Sequence, residues 1–183
     1  MPSLELLRHG STGVSGRYNG HTDVPLCEMG WQQMREAVAG RRWHRIVSSP
    51  LRRCHDFALE LSRRIEVPLS VDARWMELHF GAWEGRDVAD LPGDELAAFW
   101  RDPVLHTPPD AEPLTALQSR VIAAAGALRA SIDSDERVLV ITHGGPMRVL
   151  RAAQQGMSLR EALNIEVPLA ALWPLDIAHG DSC

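Results

Sequence analysis

The sequence predicts an α/β fold: a three-layer sandwich with a mainly parallel central sheet and helices on both faces. Short apolar runs alternate with segments whose apolar residues recur at helical spacing, and each crossover between parallel strands must return over one face of the sheet. The run Leu6-Leu7-Arg8-His9-Gly10 reads as a buried strand that stops on an arginine, a histidine and a glycine. A second run, Val138 to Thr142, stops in the same manner on His143-Gly144-Gly145. Open α/β sheets bind ligands at the carboxyl ends of their strands, so two such ends predict one shared site, suited to phosphate by position and chemistry.

The first strand leads into a Gly-rich polar loop, from Gly10 to about Thr22, and then a helix whose Trp31, Met34 and Val38 recur at helical spacing. Ile46-Val47-Ser48 reads as a short strand. Ser49-Pro50 supplies an N-cap and a first-turn proline for a helix burying Leu51, Cys54, Ala58, Leu61 and Ile65. Arg53 falls in its first turn, off the apolar stripe. Pro68 to Val71 reads as an edge strand, and the stretch from Trp75 to Gly85 as an ordered loop. One or two short helices are expected from Asp87 to Trp100, and Pro103 to Pro113, with four prolines, is a connector. Leu114, Leu117, Val121, Ala124, Leu128 and Ile132 mark the clearest helix. After the Val138 strand, Pro146 suits the first turn of a helix carrying Met147, Leu150 and Ala153, and Val167 to Leu175 reads as a final strand.

The 183 residues, 45% hydrophobic, fit one domain over 1–183, with a variable lid segment at about 87–113. A net charge of −5 argues against nucleic acid and anionic membrane as partners. No apolar stretch is long enough for a membrane helix, and the amino terminus lacks the pattern of a signal peptide. Three cysteines, Cys27, Cys54 and Cys183, without metal-type spacing suit a chain that keeps its thiols reduced, which predicts the cytoplasm. All 19 basic residues are arginine, whose planar fork suits bidentate phosphate contacts.

Four blocks occur in order: Arg8-His9-Gly10; Ser48-Ser49-Pro50-Leu51 followed by Arg53; Glu77 at the head of Glu-Leu-His-Phe-Gly-Ala-Trp-Glu-Gly; and His143-Gly144-Gly145. In order and spacing they resemble the histidine phosphatase superfamily, in its phosphoglycerate-mutase-like branch, over roughly residues 4 to 155. The resemblance implies that fold, with His9 as nucleophile, Arg8, Arg53 and His143 as a phosphate clamp, and Glu77 as proton donor. Gly144, Ser15, Asn19 and Gly20 are added as substrate-binding residues. Two departures stand out. Ser11 and Ser15 take the places where the family often has an acidic or amide residue and an asparagine. Ala111-Glu112-Pro113 replaces the family's Gly-Glu-Ser, which removes a capping residue and leaves Glu112 without a strong pocket role.

The chemistry of these residue types agrees. A phosphomonoester is doubly charged near neutral pH, so cations around its non-bridging oxygens must offset that charge in the transition state. Cations beside His9 also depress its pKa and keep a lone pair free for attack. Glu77 protonates the leaving oxygen and then takes a proton from water. No metal or cofactor is needed. Glu84 is read as a loop-stabilising carboxylate rather than a second catalyst, Arg52 as solvated, and Arg17 as either a surface residue or a rim cation. Trp75, Trp83 and Trp100 are read as packing residues, with Trp83 or Trp100 alternatively a wall for an apolar leaving group. His21, His44, His55, His79, His106 and His179 are read as surface or core residues, His21 lying in the pocket loop and His79 near Glu77.

The Glu77-to-Arg86 block and the segment from Phe99 to Pro109 are most similar to the α-ribazole-5'-phosphate phosphatases. That likeness implies α-ribazole 5'-phosphate or adenosylcobalamin 5'-phosphate, small-molecule phosphomonoesters of cobalamin nucleotide-loop assembly, as substrate. The chain is short for a mutase, which favours hydrolysis. A phosphatase or mutase for another ester, such as a sugar phosphate or phosphoglycerate, is the alternative; a non-catalytic phosphate-binding regulatory domain is the alternative of another class. A homodimer is left open.

Overall fold

A computed structural model describes residues 3–175; Met1, Pro2 and the expectations for His179 and Cys183 lie outside the described residues. In chain order the elements are β1 (Ser3–Arg8), α1 (Glu28–Ala37), β2 (Arg45–Ser48), α2 (Arg52–Ile65) and β3 (Leu69–Val71). Then come α3 (Gly93–Arg101), α4 (Leu114–Ser131), β4 (Arg137–Thr142), α5 (Gly144–Gln154) and β5 (Leu172–Leu175). The sheet order is β3-β2-β4-β1-β5; β1, β2, β3 and β4 run parallel, and β5 is antiparallel to β1.

Alternation along the strands builds the two covered faces. Leu4 and Leu6 of β1 and Val138 and Val140 of β4 pack on one side with Leu117, Val121 and Ala124 of α4 and Met147 of α5. Leu7, Leu139 and Ile141 face the other side, against Met34 of α1 and Cys54, Phe57 and Leu61 of α2. β4 is buried from Val138 to Thr142, as a central parallel strand must be. The three-layer α/β sandwich is the fold observed.

Local boundaries differ in two places. Helix α2 begins at Arg52 with Leu51 as N-cap, not at Ser49-Pro50. The Ser49 hydroxyl lies 2.7 Å from Nε2 of His143, and the helix end is closed from the pocket loop, where Asp23 Oδ1 accepts from Arg52 N–H at 2.7 Å. The last strand is shorter than Val167 to Leu175. Residues 167–171 wrap around the end of β1, where Arg8 N–H donates to the Ala171 carbonyl (2.9 Å) and Ala170 N–H to the His9 carbonyl (3.2 Å). Ala170 takes a positive φ of 55° to turn there. Among the described residues no helix is long and apolar enough to cross a membrane.

Candidate active site

The parallel register pairs Arg8 with Thr142 and Ser48 with Ile141, so the strand ends release His9, Ser49 and His143 at one edge. Gly10 permits the chain to leave β1 there: a Cβ on it would stand 2.3 Å from the Gly30 carbonyl oxygen, so α1 closes directly against the turn after His9. The ring centroids of His9 and His143 are 5.2 Å apart.

His9 is buried, and its Nδ1 donates to the Gly10 carbonyl at 2.8 Å. That bond fixes the tautomer and leaves Nε2 with the free lone pair. Burial, then the charge of Arg53, lowers the His9 pKa to about 3, with Arg8 adding to the effect and the Gly10 bond opposing it. The imidazole is therefore neutral at physiological pH, with the free lone pair that a base or nucleophile needs.

Arg53, 1% exposed, is held by its surroundings. Its Nη1 donates to the Thr22 carbonyl (2.9 Å), its Nη2 to those of Asn19 (3.0 Å) and Gly20 (2.6 Å), and its Nε to Nδ1 of His143 (3.2 Å). A guanidinium has five N–H donors, so among the described residues one on Nη1 remains for a ligand. Arg8 donates through Nη1 to the Val167 carbonyl, and its buried Nε has no protein partner among the described residues. Burial lowers the Arg8 pKa, Glu77 opposes this, and Arg148 and Arg53 add repulsion. A doubly charged phosphate relieves that repulsion.

Glu77 lies across the cavity floor, its Oε1 accepting from Gly145 N–H (3.0 Å) and Leu78 N–H (2.9 Å). A Cβ on Gly145 would stand 2.1 Å from that oxygen, so α5 can approach the carboxyl only through a glycine. Gly145→Ala is therefore expected to push Glu77 aside and cost about 10²-fold in kcat on alkyl phosphates, with little change in thermal midpoint; steady-state kinetics beside a melting curve checks this.

His143 is fully buried behind His9, where burial and then Arg53 hold its pKa well below the usual value. Since Nδ1 accepts from Arg53, Nε2 carries the proton and donates to Ser49 Oγ. Its side chain thus supports Arg53 and His9 and does not line the cavity. Two imidazoles kept neutral while the unfolded chain protonates near pH 6.5 carry a sign for stability. Below that pH the unfolded state binds more protons, so stability falls as pH drops from about 6.5 towards 3. Thermal melts at pH 7 and 4.5 should show a drop that shrinks in His9→Gln.

Arg8, His9, Arg53, Glu77, Ser15 and Asn19 share a cavity of about 620 Å³. Gly20 contributes its carbonyl to Arg53, and Gly144 sits at the first position of α5, next to the Gly145 that faces the cavity. Arg17 is on the rim. Arg52 is exposed and pairs with Asp56. Glu84 braces the loop, accepting from the N–H groups of His21, Thr22 and Phe80. Trp75 and Trp83 are core residues, whereas Trp100, half exposed, lines the cavity with Tyr18, Phe80 and Phe99. Arg148, also on the wall, was not expected from the sequence; its Nε donates to the Ile165 carbonyl. Its place three residues after Gly145, on the first turns of α5, was the available signal. Ser49, a helix cap by its sequence context, is instead the partner of His143.

The chain matches the histidine phosphatase superfamily (branch 1) over residues 4–182. It is 33% identical over 166 residues to glucosyl-3-phosphoglycerate phosphatase of Mycobacterium tuberculosis, covering 82% of this chain and 74% of that protein. The native structure of the mycobacterial glucosyl-3-phosphoglycerate phosphatase is similar at a TM-score of 0.80 and 30% identity, covering 94% of this chain and 88% of that one. The α-ribazole phosphatase of Shigella flexneri has a TM-score of 0.79 at 24% identity, covering 95% and 90% of the two chains, and shares the fold. With strand-end histidines, clustered arginines and a match over almost its whole length, the chain belongs to branch 1 of the histidine phosphatase superfamily.

Proposed function

We propose that this phosphatase hydrolyses α-ribazole 5'-phosphate, or adenosylcobalamin 5'-phosphate, through a phosphohistidine on His9. One observation carries the reading: a single cavity joins His9, Glu77 and the arginines to a wall of Tyr18, Phe80, Phe99 and Trp100. The cationic floor suits a phosphate. The aromatic wall suits a planar aromatic base on the leaving group, as the benzimidazole of α-ribazole provides.

In the first step the Nε2 lone pair of His9 attacks phosphorus, the phosphorus–oxygen bond to the leaving group breaks, and the Glu77 carboxyl gives its proton to the departing oxygen. Arg8 and Arg53 stabilise charge on the non-bridging oxygens. In the second, water attacks phosphorus, Glu77 takes its proton, and the phosphorus–nitrogen bond breaks to restore neutral His9.

The likeness to glucosyl-3-phosphoglycerate phosphatase at 33% identity favours a second reading, in which the ester carries a carboxylate and a sugar. Ser11, Thr12, Ser15, Arg17, Asn19 and Arg148 on the cavity wall are among the polar groups available to such a substrate. The test compares kcat/KM for α-ribazole 5'-phosphate, glucosyl-3-phosphoglycerate, 3-phosphoglycerate, simple sugar phosphates and an aryl phosphate. The ribazole ester should lead, and Trp100→Ala should cost it roughly three- to tenfold, the worth of one aromatic contact. Preference for glucosyl-3-phosphoglycerate, or none for the ribazole ester, overturns the substrate.

A further inference from the structure

The backbone that carries Glu77 has no secondary structure to hold it: residues 76–80 belong to neither strand nor helix. On one side its carboxylate meets α5 through Gly145. On the other, Arg120 of α4 reaches the main chain. Arg120 Nη1 donates to the carbonyls of Arg74 (2.8 Å) and Met76 (2.7 Å), and Nη2 to that of Glu77 (2.9 Å). The remaining two N–H groups, on Nε and Nη2, go to Glu112 Oε1 (2.6 Å) and Oε2 (2.8 Å). All five donors of the guanidinium are thus used, three on the segment that ends in Glu77 and two on one carboxylate.

Glu112 stands at the end of the connector that follows α3 and is itself tied to the loop after Glu77. Its N–H donates to the His79 carbonyl (2.9 Å), and its Oε2 lies 3.4 Å from His79 N–H. Side-chain exposures of 20% for Arg120 and 17% for Glu112 keep the pair largely out of water, where charge-assisted bonds are stronger.

We propose that Arg120, oriented by Glu112, is a positioning residue for the proton donor: it fixes the Glu77 backbone so that the carboxyl meets the leaving oxygen. A planar fork is required. A lysine at this place, with three donors on one nitrogen, cannot reach three carbonyls and both carboxylate oxygens. The proposal rests on the reading of Glu77 as the acid.

Leaving-group dependence tests it, with Glu77→Gln as reference. Arg120→Lys and Glu112→Gln should lower kcat/KM for an alkyl phosphate, with about 10²-fold expected for Arg120→Lys. Both should leave an aryl phosphate and the rate of His9 phosphorylation by it much less affected. A structural role alone would lower both substrates in proportion to lost folded protein, which melting curves measure. Should Arg120→Lys fail to fold, Glu112→Gln, of unchanged size, carries the comparison. Equal slowing of alkyl and aryl esters, or no slowing, in a folded variant overturns the positioning role. If Glu77→Gln itself discriminates no better between the esters, the reading of Glu77 falls instead.

Discussion

His9→Ala is expected to lower kcat/KM for every phosphomonoester by roughly 10⁴- to 10⁶-fold, the scale on which covalent enzymes lose activity with their nucleophile. Neither His143 nor Cys54, the two further groups of nucleophilic type packed beside Arg53, can take over. His143 is fully buried, its Nδ1 engaged by Arg53 and its Nε2 by Ser49. Cys54 is fully buried and its thiol is pushed far up by that burial, which removes the thiolate. Inorganic phosphate should still protect the variant against thermal unfolding, because Arg8 and Arg53 remain and a ligand that binds only the folded state stabilises it by mass action. Activity within tenfold of wild type would mean that the covalent route is wrong.

Glu77→Gln is expected to slow alkyl phosphates by about 10²- to 10⁴-fold, the usual worth of a general acid, and aryl phosphates far less. The reason lies in the leaving group. An alkoxide needs a proton as its bond to phosphorus breaks, and a phenoxide departs without one. Glutamine keeps the size of the side chain and an acceptor for Gly145 N–H, so the site should hold its shape. The test is kcat/KM against leaving-group pKa, which should steepen in the variant; an unchanged slope would remove Glu77 from the acid role.

What the sequence made visible, and what it hid, follows from the range of the forces involved. The apolar runs of β1 and β4 and the stripe of α4 are local patterns, and each element stands where its pattern places it. The ends of elements depend on partners far away in sequence. Ser49-Pro50 has the chemistry of a helix start, but His143 takes the serine and Asp23 closes α2 two residues later. The stretch from Val167 has strand composition, yet its carbonyls are drawn to Arg8, so pairing with β1 begins only at Leu172. His9 could be placed from a motif that coincides with a strand end, and Glu77 from its motif alone, since it stands in a loop. The packing around such residues was hidden. Arg53, read as lying off the apolar stripe, is buried because three carbonyls and an imidazole solvate its charge. Glu112 gains its role only once α4 brings Arg120 beside the loop after Trp75, across 43 to 46 residues of chain.

The covalent route is checked by rapid acid-free quenching of the enzyme during turnover of a labelled phosphomonoester, followed by peptide mapping. Acid-labile, base-stable label is expected on His9, formed no more slowly than overall turnover and lost in His9→Ala. Turnover with no phosphoenzyme competent to form at the rate of the reaction, or label on any other side chain, would contradict it.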